Sequence, residues 1–530
     1  MKTRQVVFIS VRVVTSEVGD MLCAEGHRRV AVILPRHRSW LWHRRLISAL
    51  ELTCEVDTYV DARVPQYPLS LRLWMRLESL VGLPSLVCSD TAPTAMWSDA
   101  TANAYALVFN LSESPVARPH NAPVLEPRYN RSGDSLSLFS ALLTRKNPYL
   151  SFHLAGQREP LVASYLAMPD TTFLVRGLQF SFARLLSLAE RAAHRVTLDC
   201  RPALPPEPEH APSTLFTVRI LLALTRILSE KLISRLVQVF RVQEHWSVAL
   251  YRSNWSADLE APKRSELVIL PDDRKRFYAD PFLFKERDKD WLFVEEFDYR
   301  TRKGVISCAQ VTGAVTTSLT PVLVRPYHLS YPLVFRHENT VYLLPETGSN
   351  RTVELYQARS FPFEWVLWRV LLQNIALYDA TLLRYQDRWW IFGSIADNGG
   401  SSYDELAIFY SHCLEGPWLA HRMNPVKSDC RSARPAGRIL VRDNRLLRPA
   451  QDCESGYGAG LVWLEIEELT PDRFIERELA RWTGAELGAD GTHTFNCEGE
   501  LNAIDLRYSI WKEGILRRRP RGKSDRNAFQ

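Results

Sequence analysis

The fold of the C-terminal half is decided by one short unit of sequence. It reads Asp280-Pro281-Phe282-Leu283-Phe284, passes through a charged turn and continues as Trp291-Leu292-Phe293-Val294-Glu295-Glu296. Two apolar, aromatic-rich runs on either side of a polar turn predict a β-hairpin. Similar units begin at Tyr331, Asp379 and Pro435, and a shorter one begins near His493.

These units recur about every fifty residues, which is a spacing typical of propeller blades. A single hairpin cannot bury both of its faces, so the units must stack around a common axis. We therefore predict a five-bladed β-propeller over residues 244–511. A β-sandwich is the alternative, but it does not explain why the same opening position recurs in register.

Each predicted blade opens with a polar residue. These residues are Asp280, Tyr331, Asp379, Arg434 and His493. The innermost strands of a propeller run along its central channel, so side chains at equivalent positions converge there. We therefore predict that these five residues line one funnel. For each of them, an ordinary cap at the end of a strand is the alternative.

Two of the opening residues, Asp280 and Asp379, are carboxylates from different blades. Hydrolysis of a glycosidic bond usually needs two carboxyl groups, one ionised and one held protonated. Glu346 ends the second strand of its hairpin and is a candidate for the protonated acid, as are Glu295 and Glu296. A solvated carboxylate at a turn is the alternative for these glutamates.

A polar run in the fourth unit contains Arg448, Gln451 and Asp452. The planar guanidinium of Arg448 suits a carboxylate, a phosphate or a vicinal diol, and the other two side chains suit sugar hydroxyls. Together with Arg434 and Tyr331, they are the predicted substrate-binding residues. An ordinary polar loop is the alternative. Nothing in the sequence points to a metal or a cofactor, and neither is predicted.

Residues 1–200 show a different pattern, in which apolar strands alternate with helices. Strands are predicted at 6–13, 30–34 and 105–111, and helices at 40–52, 71–81 and 180–193. This alternation favours a Rossmann-like α/β domain with a parallel, doubly wound sheet. Neither GxGxxG nor GxxxxGK[ST] follows the first strand, so no nucleotide-phosphate site is predicted.

The segment 201–243 separates the two halves. Its first part is dense in proline and predicts a linker, and leucines and isoleucines within 215–242 fall near helical spacing. We predict an amphipathic helix docked on the protein, with contact to a membrane surface as the alternative. Charged residues interrupt the segment, so no run reaches the about 20 apolar residues of a transmembrane helix.

Charge and cysteine usage narrow the class of protein. The net charge of +6 is spread along the chain except for a basic tail at 512–530. We predict that this tail is disordered and solvated, with contact to nucleic acid or anionic lipid as the alternative, and no nucleic-acid partner is predicted. The nine cysteines are odd in number and include no CxxC pair. Reduced thiols, together with an N-terminus that lacks a signal-peptide core, predict a cytoplasmic protein.

The motifs of the C-terminal half occur in a fixed order. They are Phe277-Tyr278-Ala279-Asp280-Pro281-Phe282, Ser330-Tyr331-Pro332, Leu344-Pro345-Glu346-Thr347, Tyr378-Asp379-Ala380-Thr381, Arg434-Pro435-Ala436-Gly437, Leu447-Arg448-Pro449-Ala450-Gln451-Asp452 and Gly491-Thr492-His493-Thr494. This series resembles the propeller domain at the N-terminus of glucosamine inositolphosphorylceramide transferases. More distantly, it resembles the five-bladed glycosidases of families 43 and 117.

The resemblance to glycosidases implies roles for individual residues. It implies that Asp280 is the catalytic base and that Asp379 tunes the acid. The acid of those enzymes is usually a glutamate that opens the fourth blade, whereas this chain has Ser432-Ala433-Arg434-Pro435 there. In the family-117 enzymes a histidine can be the acid, which implies that role for His493.

The N-terminal half resembles a degenerate formyltransferase-like domain, a type often fused ahead of such propellers. The resemblance rests on Tyr105-Ala106-Leu107-Val108-Phe109-Asn110-Leu111-Ser112 and the layout that follows. The family's catalytic Asn-His-Asp set and its Ser-Leu-Leu-Pro loop are not found in the sequence. We therefore expect an inactive or repurposed domain without a folate cofactor.

Two functional hypotheses follow. In the first, the chain is a carbohydrate-active protein whose funnel binds and processes a sugar, as a glycosidase-like or sugar-transferring enzyme in glycan or glycolipid assembly. Asp280, Asp379, Glu346 and His493 would carry the chemistry. In the second, the funnel only binds a glycan, and the protein serves as a non-catalytic module or scaffold.

Overall fold

The computed structural model describes residues 29–35, 40–61, 71, 75, 95–97, 104–116, 119, 122–168, 173–196, 204–206, 222, 225, 226, 229, 242–253 and 259–511. The strand predicted at 6–13 and the basic tail lie outside the described residues. So do most of the helix predicted at 71–81 and most of the segment 201–241.

The N-terminal unit is built on a six-stranded sheet in the order β2-β1-β3-β4-β5-β6. Its strands are β1 (Arg29–Pro35), β2 (Glu55–Asp61), β3 (Leu107–Asn110), β4 (Val124–Tyr129), β5 (Tyr149–Leu154) and β6 (Val162–Tyr165). Its helices are α1 (Leu41–Leu50), α2 (Leu136–Leu143) and α3 (Leu174–Val196). Leucines and phenylalanines of α2 and α3 pack with sheet residues in one hydrophobic cluster.

This sheet is mixed, whereas the sequence predicted a parallel one. β1 pairs in parallel with β2 and β3, and β3 pairs in parallel with β4. β5 runs antiparallel to both β4 and β6. The connection from β5 to β6 is short and turns at Gly156, whose φ is +81°, and a connection of that length can join only antiparallel neighbours. The formyltransferase-like character of this unit stays a prediction.

The C-terminal half forms five sheets, as predicted for a five-bladed propeller. Blade one contains β9 (Arg276–Glu286), β10 (Lys289–Asp298), β11 (Lys303–Thr312), β12 (Val315–Thr316) and β13 (Thr320–Leu323). Blade two contains β14 (Ser330–His337), β15 (Thr340–Glu346), β16 (Thr352–Ser360) and β17 (Glu364–Gln373). Blade three contains β18 (Leu377–Tyr385), β19 (Arg388–Ile395), β20 (Glu405–Ser411), β21 (Leu419–Ala420) and β22 (Lys427–Ser428). Blade four contains β23 (Leu440–Arg442), β24 (Arg445–Asp452), β25 (Gly460–Leu469) and β26 (Phe474–Thr483).

The fifth blade is assembled from both ends of the propeller. Its strands are β27 (Phe495–Glu498), β28 (Leu501–Trp511), β7 (Val242–Arg252) and β8 (Val268–Ile269), in that order across the sheet. β28 pairs with β7 along its whole length, from Leu501 opposite Arg252 to Trp511 opposite Val242. This pairing closes the ring and leaves neither strand as an open edge.

The first strand of each of the first three blades carries the same irregularity. The pairing register shifts beside Asp280, Tyr331 and Asp379, which marks a β-bulge in each hairpin. All three residues have left-handed backbone conformations, with φ of +50°, +47° and +52°. Such values are uncommon for residues other than glycine, and they re-aim the side chain relative to a regular strand. The bulge thus places three of the predicted funnel residues.

Apolar side chains between adjacent blades form the core. Trp389 and Trp390 are neighbours in β19 and therefore face opposite sides of the sheet. Trp389 packs with residues of blade two, and Trp390 packs with residues of blade four. Both are buried, so both belong to the core. Among the described helices, none has the length and apolar character needed to cross a membrane.

Candidate functional site

Carboxylates from one blade hold backbone amides of the next around the propeller axis. The Asp505 carboxylate accepts a hydrogen bond from the Asp280 amide at 3.1 Å, and the Asp280 carboxylate accepts one from the Tyr331 amide at 3.1 Å. Glu346 accepts one from the Asp379 amide at 3.0 Å. Because the bulges take these amides out of the strand ladder, the carboxylates satisfy donors that would otherwise be buried without partners.

Tyr331 crosses the centre of the ring. Its hydroxyl lies 2.8 Å from the Thr381 hydroxyl of blade three and accepts a hydrogen bond from the Gly437 amide of blade four at 2.5 Å. Its side chain is fully buried and packs edge-on against Phe282. The tyrosine therefore links four blades by its own side chain and backbone.

One group of polar side chains, called here the histidine cluster, comprises Asp280, His493, Thr494 and Asp505. His493 Nδ1 lies 2.5 Å from an Asp505 oxygen, and Nε2 lies 3.5 Å from an Asp280 oxygen. The Thr494 hydroxyl donates to Asp280 at 2.7 Å. The ring of Trp246, from the closing strand β7, stacks on the imidazole with centroids 4.0 Å apart.

The environment shifts the pKa values of Asp280 and His493 upward. Burial, which disfavours the charged carboxylate, raises the pKa of Asp280 to about 6, although the neighbouring His493 opposes this shift. Burial also disfavours the charged imidazole, but the Asp505 and Asp280 carboxylates outweigh it and raise the pKa of His493. Asp280 and His493 are therefore suited to hold and exchange protons.

The same cluster includes a potential metal-ligand set. Asp280, His493 and Asp505 each offer one ligand atom, and these atoms all lie within 4.8 Å of one another. The sequence analysis predicted no metal. Carboxylate oxygens and an imidazole nitrogen are a donor set that divalent metal ions accept.

A second group, called here the arginine cluster, comprises Glu346, Asp379, Arg434 and Gln451. The Arg434 guanidinium donates to both oxygens of Asp379, at 2.6 and 3.2 Å. The Gln451 amide donates to Asp379 at 2.7 Å. Three tyrosine rings surround the guanidinium carbon at 5.0 to 5.5 Å, namely Tyr378, Tyr403 and Tyr457. The cation is therefore held by a carboxylate and by ring faces.

Two glutamates of the funnel have pKa values above their ordinary value. Burial, reinforced by the neighbouring Asp379, raises the pKa of Glu346 well above its ordinary value despite Arg434 nearby. Burial and the Asp280 charge raise the pKa of Glu295 in the same way. Glu296 has a different environment, since its carboxylate binds Arg276 at 2.5 Å and Ser307 at 2.7 Å.

The structure brings most of the predicted site residues together. The funnel contains Asp280, Tyr331, Glu346, Asp379, Arg434, Gln451 and His493. Arg448 lies in a separate buried ion pair with Glu476, at 2.7 and 2.8 Å, and also donates to the Ser432 carbonyl. Asp452 pairs with Arg481 and accepts a hydrogen bond from the Glu454 amide. Substrate binding by Arg448 and Asp452 stays a prediction that none of these contacts supports.

Several funnel residues were missed from the sequence, among them Asp505, Trp246 and Tyr403. Asp505 is the charged residue of Ala503-Ile504-Asp505-Leu506, and a carboxylate in an otherwise apolar run of four residues was the available signal. Trp246 lies in β7, whose membership of the fifth blade is not visible locally. Tyr403 lies in the loop between β19 and β20 and stacks on Tyr457 with centroids 5.3 Å apart. Such loop residues carry no periodic pattern.

Comparison with known proteins identifies the propeller. Residues 271–504 match the family described as glucosamine inositolphosphorylceramide transferase 1, N-terminal. The propeller resembles this N-terminal domain. The transferase of that name from Oryza sativa subsp. japonica is 36% identical over 225 residues, which cover 42% of this chain and 30% of the rice protein. The one from Arabidopsis thaliana is 34% identical over 208 residues, covering 38% of this chain and 27% of the plant protein. The predicted resemblance is confirmed.

The chain therefore spans about 30% of the length of the curated relatives it matches. Solved structures that resemble it include an exo-β-1,3-galactanase from Phanerochaete chrysosporium with galactose, at a TM-score of 0.31 and 11% identity, covering 39% of this chain and 52% of that chain. An α-L-arabinofuranosidase from Podospora anserina in complex with cellotriose has a TM-score of 0.33 and 10% identity. The match covers 43% of this chain and 78% of that chain.

Proposed function

We propose that the chain is a carbohydrate-active protein whose propeller funnel binds a sugar and acts on it. The observation that carries this proposal is the convergence of the histidine and arginine clusters from five blades on one axis. Sugar-binding sites typically combine directional polar groups with aromatic rings. Trp246, Tyr403 and Tyr457 supply such rings beside the two clusters. The match to a transferase family named for glucosamine supports a sugar-related role.

The environments of two neighbouring carboxyl groups support chemistry of the acid–base type. Asp379 accepts hydrogen bonds from Arg434 and Gln451. Burial raises the pKa of Glu346, next to it, which favours the protonated form of that carboxyl group. Two carboxyl groups, one of them with a raised pKa, are the arrangement that glycoside hydrolysis uses. In this proposal Glu346 or His493 donates the proton to the leaving oxygen, and Asp280 or Asp379 is the basic partner.

A non-catalytic glycan-binding function is the second candidate. It is favoured by the inter-blade hydrogen bonds, since Asp280, Glu346 and Asp505 each hold a backbone amide of the next blade. These carboxylates thus stabilise the contact between blades, and this structural role would explain their presence without any reaction. The arginine at the opening of the fourth blade, where a carboxylate was expected, also favours binding alone.

The test is a glycan-array screen of the purified full-length chain, followed by incubation with bound glycans and with nucleotide sugars and detection of products by mass spectrometry. We expect binding, and we expect products that Asp280→Asn reduces by about a hundredfold or more. Asp298→Asn is the matched control, because Asp298 makes its contacts to the exposed Arg300. Binding without any product would select the second candidate, and no binding at all would overturn both.

A further inference from the structure

The N-terminal unit contacts the propeller through helix α3. Arg184 of α3 contacts Asp404, the last residue of the loop between β19 and β20, with Nη2 and Oδ1 2.5 Å apart. The other Asp404 oxygen accepts a hydrogen bond from the Ala167 amide at 3.0 Å. Both oxygens of this propeller carboxylate are therefore held by the N-terminal unit. The side chains of Arg184 and Asp404 are each 1% exposed.

Additional contacts extend this interface along α3. Arg184 also pairs with Glu405, and Arg191 pairs with Glu405 at 2.9 Å. The Asn398 amide of the loop donates to the Ser187 hydroxyl at 3.0 Å. Removing one partner from a buried ion pair leaves an uncompensated charge, so these contacts strongly restrict where the loop can lie.

The opposite face of the same loop forms part of the funnel. The Arg434 guanidinium donates to the Ser402 hydroxyl at 3.3 Å, and the Tyr403 ring lies 5.4 Å from its carbon. Tyr403 also stacks on Tyr457, and Tyr457 contacts the imidazole of His493 edge-on at 5.1 Å. Two consecutive residues of the loop therefore contact the arginine cluster, and the next residue contacts α3.

We propose that Arg184 is a positioning residue of the funnel: by fixing Asp404 it fixes Ser402 and Tyr403, and through them the guanidinium of Arg434. The inference rests on the proposed sugar-binding function for its effect on ligand, although the positioning itself does not. It assigns the N-terminal unit a role in completing the site. Displacement of a site group by about 1 Å can cost a hundredfold in activity, so the loop position matters.

The first measurement needs no ligand. Hydrogen exchange of the full-length chain is followed by mass spectrometry for Arg184→Gln, Asp404→Asn and the double variant. We expect faster exchange in peptides covering 434–437 and 457, with the double variant no faster than either single one. Peptides of β15 in blade two should be unchanged, which separates local repositioning from general destabilisation. Arg184→Lys, which keeps the charge, should restore part of the protection.

Arg191→Gln is the matched control. It removes an ion pair from the same helix and the same interface, but it leaves Asp404 bound to Arg184 and Ala167. We expect no change in exchange at 434–437 for this variant. Equal acceleration in both variants, or none in Arg184→Gln, would overturn the proposal.

The second measurement is calorimetric titration with methyl glycosides of glucose, galactose and glucosamine. For a glycoside that the wild type binds, Arg184→Gln should weaken affinity roughly tenfold, in the usual range of coupling between distant groups, and Arg191→Gln should not. If exchange changes as expected but the wild type binds no sugar in this titration or on the array, the proposed function fails while Arg184 remains a positioning residue. If the wild type binds a sugar and Arg184→Gln binds it with unchanged affinity, the proposed influence of Arg184 on sugar binding is overturned.

Discussion

The two clusters of the funnel solve the same electrostatic problem in different ways. Each holds a buried aspartate beside a cation, with Asp280 next to His493 and Asp379 next to Arg434. The histidine can lose its charge as the pH rises, whereas the arginine cannot. One half of the funnel therefore changes its charge with pH, and the other half keeps a permanent ion pair.

This difference indicates a division of labour. A permanent pair with two donors on one carboxylate suits a group that orients a ligand. A cluster with raised pKa values suits a group that exchanges protons. The ring stacking differs accordingly, since Trp246 covers the imidazole while three tyrosines surround the guanidinium.

The largest effect is expected for Asp379→Asn. The substitution leaves the buried Arg434 without its carboxylate, which should lower the free energy of unfolding by about 3–5 kcal/mol. Urea denaturation monitored by tryptophan fluorescence measures this loss. Asp298→Asn, which breaks a pair with the exposed Arg300, should cost far less, because water screens a surface ion pair. Similar losses in the two variants would contradict the picture of a permanent buried pair.

A smaller effect is expected for Tyr331→Phe, which lies between the clusters and belongs to neither. Loss of the hydroxyl leaves the Gly437 amide and the Thr381 hydroxyl without this partner, and should cost about 1–3 kcal/mol. The loss should be the same at every pH from 5 to 9, because burial raises the pKa of the Tyr331 hydroxyl well above its ordinary value of 10.0 and the group does not titrate in this range. A pH-dependent loss in the same denaturation experiment would show that the two clusters are coupled through this tyrosine.

The smallest and most specific effect is expected for His493→Gln. Since the folded-state pKa of His493 lies above its ordinary value of 6.5, the charged imidazole stabilises the fold at pH below 6.5, and this contribution is lost as pH rises through the folded-state pKa. The variant should therefore lose more stability at pH 5 than at pH 9. Arg434→Lys should show no such pH dependence, and an equal loss at both pH values for His493→Gln would refute the comparison.

The repeat of the hairpin units made the propeller predictable from sequence. The unit at Asp280 and its counterparts at Tyr331 and Asp379 each show two apolar runs on either side of a polar turn, which predict the strands locally. The structure places each of these three residues at a bulge. Their convergence on one funnel was predictable because all three open the innermost strand of a blade. The acidic member Glu346 was predictable for the same reason, since it ends the second strand of its hairpin.

Other parts of the site depend on contacts between distant segments, which leave no local pattern. Arg448 has the same chemistry as Arg434 in the sequence, but Glu476 of β26 pairs with it outside the funnel. Trp246 enters the site only because β7 pairs with β28. The edge of the N-terminal sheet was also mispredicted, because a short turn, and not periodicity, sets the direction of β6 relative to β5.

Closure of the ring by β7 and β28 has a consequence for synthesis. β7 emerges from the ribosome long before β28, so its hydrogen-bonding edge has no native partner until translation of the propeller is almost complete. Pairing of segments so far apart in sequence is intrinsically slow, and an exposed edge strand invites association with other chains. A message truncated within blade four or five would therefore produce an aggregation-prone chain with an open edge, and not a smaller functional propeller.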